Sequence, residues 1–289
     1  MLSPVAKCLW MLMLLIVAGA GRVAAADRGG ERLLGDARLE RGRRGEPLVR
    51  VMVNGQAVTA MLDTGSSHTS VSDALVTTLG LRAVARTVVA TSVGEVAEEV
   101  VHVDRIELAG AVMEGLSASV VPARWLDPEG RVAAVIGQDL LASGLYTLDF
   151  AAGRLLRRSR LSDADLQAAL PLDDERGRFV ARVPHPRGAL RLVPDSGAEA
   201  LILYGATIDR PFAAADRGPV WVETVSGRQE ARLALVPRLP VGPVLLTNVR
   251  AAILPHRRAD AATLDGLLPL TLFSRVTFDG PGHRLVLER

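Results

Sequence analysis

The sequence predicts an all-β fold with short helices, built as two similar β-barrel-like lobes related by pseudo-twofold symmetry. Three observations carry this expectation. Runs rich in Val, Leu and Thr alternate with Gly-, Asn- and Pro-bearing turns, the pattern of many short strands. A triplet of acid, hydroxyl residue and glycine occurs twice, as Asp63-Thr64-Gly65 and Asp195-Ser196-Gly197, each at the end of a strand-like run. The elements around the two triplets also recur in the same order, as an internal duplication would leave them.

Taken in order, residues 1–26 read as a secretory signal peptide. Lys7 gives a positive start, Cys8 to Gly21 is an uncharged apolar run, and Ala24-Ala25-Ala26 supplies small residues before a cut. The run is shorter than the ~20 residues of a membrane span; an uncleaved N-terminal anchor is the alternative. Residues 27–46 are rich in Arg, Gly and acids and are expected to be a flexible leader, with room for a short strand around Arg32-Leu33-Leu34.

The first lobe is expected over 47–156. Leu48 to Val53 alternates like a strand. Asn54-Gly55 is a hairpin turn because both positions tolerate positive φ, and Gln56 to Leu62 returns onto Asp63. Ser70 to Leu81 reads as a short helix ending near Gly80. Thr87 to Ile106 is a second hairpin centred near Gly94. Val135-Ile136-Gly137 leads into a helical turn, and Tyr146–Phe150 with Arg154–Leu156 closes the lobe as a hairpin.

Residues 157–176 are charged and irregular, a linker with a short helix at Asp163 to Leu170. The second lobe is expected over 177–289: a strand from Phe179, a turn at Pro184 to Gly188, and a strand ending at Asp195. A Val- and Thr-bearing hairpin around Gly227 follows, then Leu267-Leu268 where the first half has Val135-Ile136, and a closing hairpin across Gly280-Pro281-Gly282.

Composition excludes several function classes. Signal removal takes away Lys7 and Arg22 and no acid, leaving 32 of the 34 basic residues against 32 acidic ones. A net charge of zero gives no electrostatic case for nucleic acid or anionic membrane. The only cysteine is Cys8, so a mature chain offers neither a disulfide nor thiol chemistry. The five histidines are scattered, so neither a metal nor any other cofactor is expected. No Gly-x-Ser-x-Gly and no phosphate-cradling Gly loop after a strand occurs in the mature chain.

The triplets supply one carboxylate per half. Two carboxyls about 3 Å apart cannot both ionise, so one keeps a proton while the other acts as base, which suits activation of a water. On these residues the halves resemble the lobes of the pepsin and retropepsin family of aspartic proteases, over Pro47 to Arg289. The resemblance implies a catalytic dyad of Asp63 and Asp195, and interlobe hydroxyl contacts from Thr64 and Ser196. It implies that Gly65 and Gly197 let the loops approach closely, and that Gly94 and Gly227 lie near two flap tips, as in a retropepsin dimer fused into one chain. Ser66 resembles a hydroxyl donor to Asp63, whereas its counterpart Ala198 cannot donate. By that reading Asp63 carries the charge and Asp195 the proton. Glu199 is either a clamp for substrate amides or a solvated acid.

Pro194 and Pro269 depart from the family pattern, and the first flap region has no tyrosine. The implied function is an exported aspartic endopeptidase, periplasmic or secreted, acting as a monomer on extended polypeptide without stable membrane insertion after signal cleavage. The competing reading is a non-catalytic peptide-binding or scaffold module on the same fold.

Overall fold

The computed structural model describes residues 31–289 apart from 92–93, 176, 186–187, 206–214, 225–226 and 256–263. The signal peptide and anchor expectations fall outside the described residues. The first half comprises β1 (Leu33–Arg41), β2 (Pro47–Val53), β3 (Gln56–Leu62), β4 (Ser70–Ser72), α1 (Asp73–Leu79), β5 (Ala83–Thr91), β6 (Gly94–Leu108), β7 (Ala111–Val121), α2 (Ala123–Leu126), β8 (Val132–Ile136), α3 (Gln138–Leu141), β9 (Leu145–Asp149) and β10 (Arg154–Arg158). After α4 (Asp163–Ala168) the second half comprises β11 (Leu170–Asp174), β12 (Phe179–His185), β13 (Gly188–Asp195), β14 (Leu201–Tyr204), β15 (Ala215–Thr224), β16 (Gly227–Val241), β17 (Val244–Leu254), β18 (Gly266–Pro269), a 3-10 turn over Leu270–Leu272, β19 (Arg275–Asp279) and β20 (Arg284–Glu288). Each strand of the first half has a counterpart in the second.

The duplication is visible in the registers. Asn54 and Gly55 both have positive φ, the conformation that joins β2 to β3 without splaying them. Helix α1 is capped by the Ser72 hydroxyl, which accepts from Leu75 N–H, and stops at Gly80 in the left-handed region. In the first lobe β2, β3, β8, β4, β7 and β6 pair in turn and β6 returns to β2, so the ring closes. The closing pairs are Met52 with Glu107 and Val53 with Ile106.

The second lobe repeats this order from β12 to β16, but among the described residues no ladder joins β16 to β12. The hairpin registers set Pro184 and Pro240 where the first lobe has Met52 and Glu107. Neither proline has an N–H to donate, which accounts for the missing seam.

A six-stranded antiparallel sheet runs beneath both lobes in the order β1, β10, β9, β19, β20, β11. At its centre, Thr147 and Thr277 lie opposite one another with their buried hydroxyls 2.8 Å apart. Leu62, Ile136 and Leu148 have no exposed surface and belong to one apolar core continuous with Val183, Leu192 and Phe278 of the other half. Each such buried aliphatic side chain contributes about 1.5–3 kcal/mol.

Two expectations need correction. The stretch expected as a flexible leader contains β1, which pairs with β10 and β2, and Glu31 forms an ion pair with the buried Arg158. The stretch expected as an irregular linker contains β11, the counterpart of β1, paired with β20 and β12. Both strands are held through backbone ladders, so neither needs a continuous apolar face. Helix α4 carries a capping box between Ser162 and Asp165.

Candidate functional site

Strand β3 ends at Leu62 beside Ile136 of β8, and Asp63 N–H donates to the Ile136 carbonyl at 3.0 Å. Strand β13 ends at Asp195 beside Pro269 of β18. Each acid therefore stands where a strand stops and a tight loop begins. Each loop turns its own amides onto its acid. Asp63 Oδ1 accepts from the N–H groups of Gly65 and Ser66 at 2.9 and 3.2 Å. Asp195 Oδ1 accepts from Gly197 and Ala198 at 2.8 and 2.9 Å.

The loops interlock through their hydroxyls. Thr64 N–H donates to Ser196 Oγ and Ser196 N–H to Thr64 Oγ1, both at 3.0 Å. Thr64 Oγ1 donates to the Pro194 carbonyl at 2.8 Å, and Ser196 Oγ to the Leu62 carbonyl at 2.7 Å. Both hydroxyl residues are fully buried, where each bond is worth more than in water. Pro194 enters this network through its carbonyl, which proline keeps, so the departure from the family pattern costs nothing here.

The two carboxyls hydrogen-bond to each other. The glycines make this approach feasible. A Cβ on Gly65 would lie 2.5 Å from the Asp195 carboxyl carbon, and one on Gly197 would lie 3.2 Å from that of Asp63. Burial raises both acids above the ordinary carboxylate range. Asp195 is raised well above it, by burial and then by the charge of Asp63. The rise of Asp63 is opposed by the amides of Gly65 and Ser66, by its bond with Asp195 and by the Arg178 guanidinium. Two acids so placed do not both ionise readily, and of the two Asp195 has its proton affinity raised further.

The role expected for the Ser66 hydroxyl is not what the structure shows. That hydroxyl donates to the His68 carbonyl at 2.8 Å. Ser66 serves Asp63 through its backbone N–H, a service Ala198 performs equally for Asp195. The bias between the acids therefore comes from their surroundings, Arg178 included.

Gly94 and Gly227 begin β6 and β16, paired with Thr91 and Thr224; the hairpin tips between them lie outside the described residues. Glu199 is half-exposed and faces Arg44 Nε at 3.8 Å.

Sequence reasoning missed a support that ties the lobes. Gln138, 1% exposed, donates through Nε2 to the Thr64 carbonyl and accepts through Oε1 from Phe179 N–H at 2.9 Å. Asp139 accepts from Thr69 N–H and Oγ1 at 2.9 and 2.8 Å. The available signal was the contrast between Gln138-Asp139 and Leu270-Thr271, which follow equivalent apolar segments. Among the described residues no group of acids and histidines could hold a metal ion, and no helix is long and apolar enough to cross a membrane.

Comparison with known proteins gives one family match by sequence. A family model described as aspartyl protease matches residues 49–140 and again residues 187–271, more than half of the chain. Among solved structures, a retropepsin-like aspartic protease from Rickettsia conorii is similar at 18% identity, with 44% of this chain and 92% of that chain covered and a TM-score of 0.33. No curated protein matches.

Proposed function

From the premise that the chain belongs to the aspartyl protease family, we propose that it is an exported aspartic endopeptidase whose dyad is Asp63 and Asp195. The carrying observation is the pair of carboxyls, Asp195 buried and Asp63 partly so, hydrogen-bonded to each other across two interlocked loops. Oδ1 of each acid is occupied by its own loop's amides, which leaves Oδ2 of each for chemistry.

A water between the acids gives a proton to ionised Asp63 as its oxygen attacks the peptide carbonyl. Asp195 gives its proton to the carbonyl oxygen. The product is a neutral diol, with the charge now on Asp195. In the second step Asp63 returns its proton to the amide nitrogen and Asp195 takes one from a hydroxyl as the C–N bond breaks. The original protonation state is restored. Thr64, Ser196, Gly65 and Gly197 hold the acids in place, and the β5–β6 and β15–β16 hairpins are flaps over an extended polypeptide. The chain works as a monomer, with lobes over 47–156 and 177–289 acting as an internal dimer, after removal of residues 1–26.

The test is digestion of a broad peptide library from acid to neutral pH, run beside Asp63→Asn and Asp195→Asn. Each variant is expected to lose activity by about 10²–10⁴-fold, the usual worth of a general acid or base. Retained cleavage in either variant, or a wild type inert at every pH, would end this reading.

A further inference from the structure

Among the described residues several acids outside the dyad are buried, and of these only Glu98 keeps a buried carboxylate oxygen without a hydrogen-bond partner. Glu98 sits on β6, four residues beyond the start of the strand, and is 8% exposed. Its side chain bonds to Ser119 and feels the charge of His68, while its Oε2 is buried and has no hydrogen-bond partner. Burial raises its affinity for a proton, and the Ser119 bond and His68 oppose that rise.

Its place follows from the registers. Val135 precedes Ile136, whose carbonyl holds Asp63. Val135 lies opposite Ser70, Ser70 opposite Ser119, and Ser119 opposite Val100. Glu98 is two residues from Val100 and so on the same face of β6. A single face thus leads from beside the dyad to the base of the first hairpin, and Glu98 closes it. His68, two residues beyond Ser66, borders it from the catalytic loop.

The second lobe offers the control. The same registers set Leu267 for Val135, Ile202 for Ser70, Ala252 for Ser119 and Ala231 for Glu98. These four residues pack with Val220 into one apolar cluster. The four twofold-related residues thus carry neither a carboxyl nor a hydroxyl, and the one hydroxyl of their cluster among the described residues belongs to the neighbouring Tyr204.

We propose that these two positions are unlike substrate subsites: the first-lobe site, built on Glu98, Ser119 and Ser70, takes a cationic Lys or Arg side chain, and its second-lobe mate takes an aliphatic one. The site rests on the protease reading for its place in the cleft. An ammonium or guanidinium supplies the donor that Glu98 Oε2 lacks and keeps the carboxylate ionised. Because the dyad is symmetric in kind, this difference fixes the direction in which a peptide lies across it.

The test uses reduced-amide peptides that differ only in Lys or norleucine at each position flanking the reduced bond, with matched cleavable peptides. The proteins are wild type, Glu98→Gln and Glu98→Ala, the last recreating the second lobe's alanine. Wild type should favour Lys at one position by about 10–100-fold in binding and in kcat/KM, because a site made for a donor rejects the analogue without one. Both variants should lose that preference and keep their affinity for the norleucine peptide. Melting curves of both variants check folding, and Glu98→Gln keeps the side chain's shape if alanine does not fold. Cleavage without a Glu98-dependent preference overturns the subsite and leaves the protease reading intact. Glu98-dependent binding without cleavage by wild type overturns the protease reading and leaves the subsite. Neither binding nor cleavage overturns both.

Discussion

The two lobes share their strands and differ in what stitches them. Around Asp63 the links are polar: Gln138 spans from the Thr64 carbonyl to Phe179 N–H, and Asp139 caps Thr69. Around Asp195 the equivalent residues are Leu270, fully buried, and Thr271, whose hydroxyl reaches the Ala198 carbonyl at 3.3 Å. The asymmetry has a reason that crosses the interface. The counterpart of Phe179 in the first lobe is Pro47, which has no N–H to satisfy, so the second lobe needs no glutamine where Leu270 stands. The first ring closes through Met52 and Glu107, whereas Pro184 and Pro240 leave the second without that seam. A duplicated fold can thus keep the matched geometry of its two acid-bearing loops while each half settles its buried polar groups differently.

The largest expected effect probes the close approach of the loops. Gly65→Ala forces a Cβ into the Asp195 carboxyl and should lower kcat/KM by about 10²-fold, the cost of an ångström-scale misplacement. Gly197→Ala meets a longer contact and should lose clearly less. Equal losses, measured by steady-state kinetics, would show that the two loops are not unequally tight.

Gln138→Leu makes the first lobe imitate the second. It strands two buried backbone groups and should destabilise by about 2–6 kcal/mol in denaturant melts, at about 1–3 kcal/mol for each group. Leu270→Gln should bring no gain, since Pro47 offers its Oε1 no donor. A stabilised Leu270→Gln would refute the cross-lobe explanation.

Asp195→Asn tests the direction of the proton. The folded state raises the proton affinity of Asp195 above its ordinary value of 3.8, so the native protein binds a proton more tightly than the unfolded chain. Its contribution to stability is most favourable below 3.8 and is lost as pH rises through the folded value. Asparagine, which never ionises, should raise Tm at pH 7 by about 2–4 °C for each kcal/mol recovered. The gain should shrink as pH falls toward 3.8. A gain that grows in acid would reverse the assignment.

Ser66→Ala should have the smallest effect. The hydroxyl contacts His68, not Asp63, so the acidic limb of the pH–activity profile should stay in place. A shifted limb would restore a hydroxyl bond to Asp63.

Much of this was legible from residue order. The Asn54-Gly55 turn, the Gly80 cap, the closing hairpins and both triplets are local signals, each fixed by the conformation its residues favour. Strands β7 and β17 were not legible. Both carry a positive-φ residue in mid-strand, Gly115 and Asn248, and both break the two-residue alternation that marks a strand. Strands β1 and β11 hid inside charged stretches because ladder bonds hold them, and ladder bonds leave no trace in side-chain chemistry. Glu98 was visible as an acid in a strand, but its burial was not.

The sequence by itself determined the repeat, the two acids and the small and hydroxyl residues beside them, because those depend on local backbone preference and residue type. Only the tertiary structure decided how each acid is surrounded, what Ser66 touches and why one lobe has Gln138 where the other has Leu270. Those outcomes depend on burial and on partners that folding alone brings together, in the facing loop for the two acids and across the lobes for Gln138, and no local pattern encodes them.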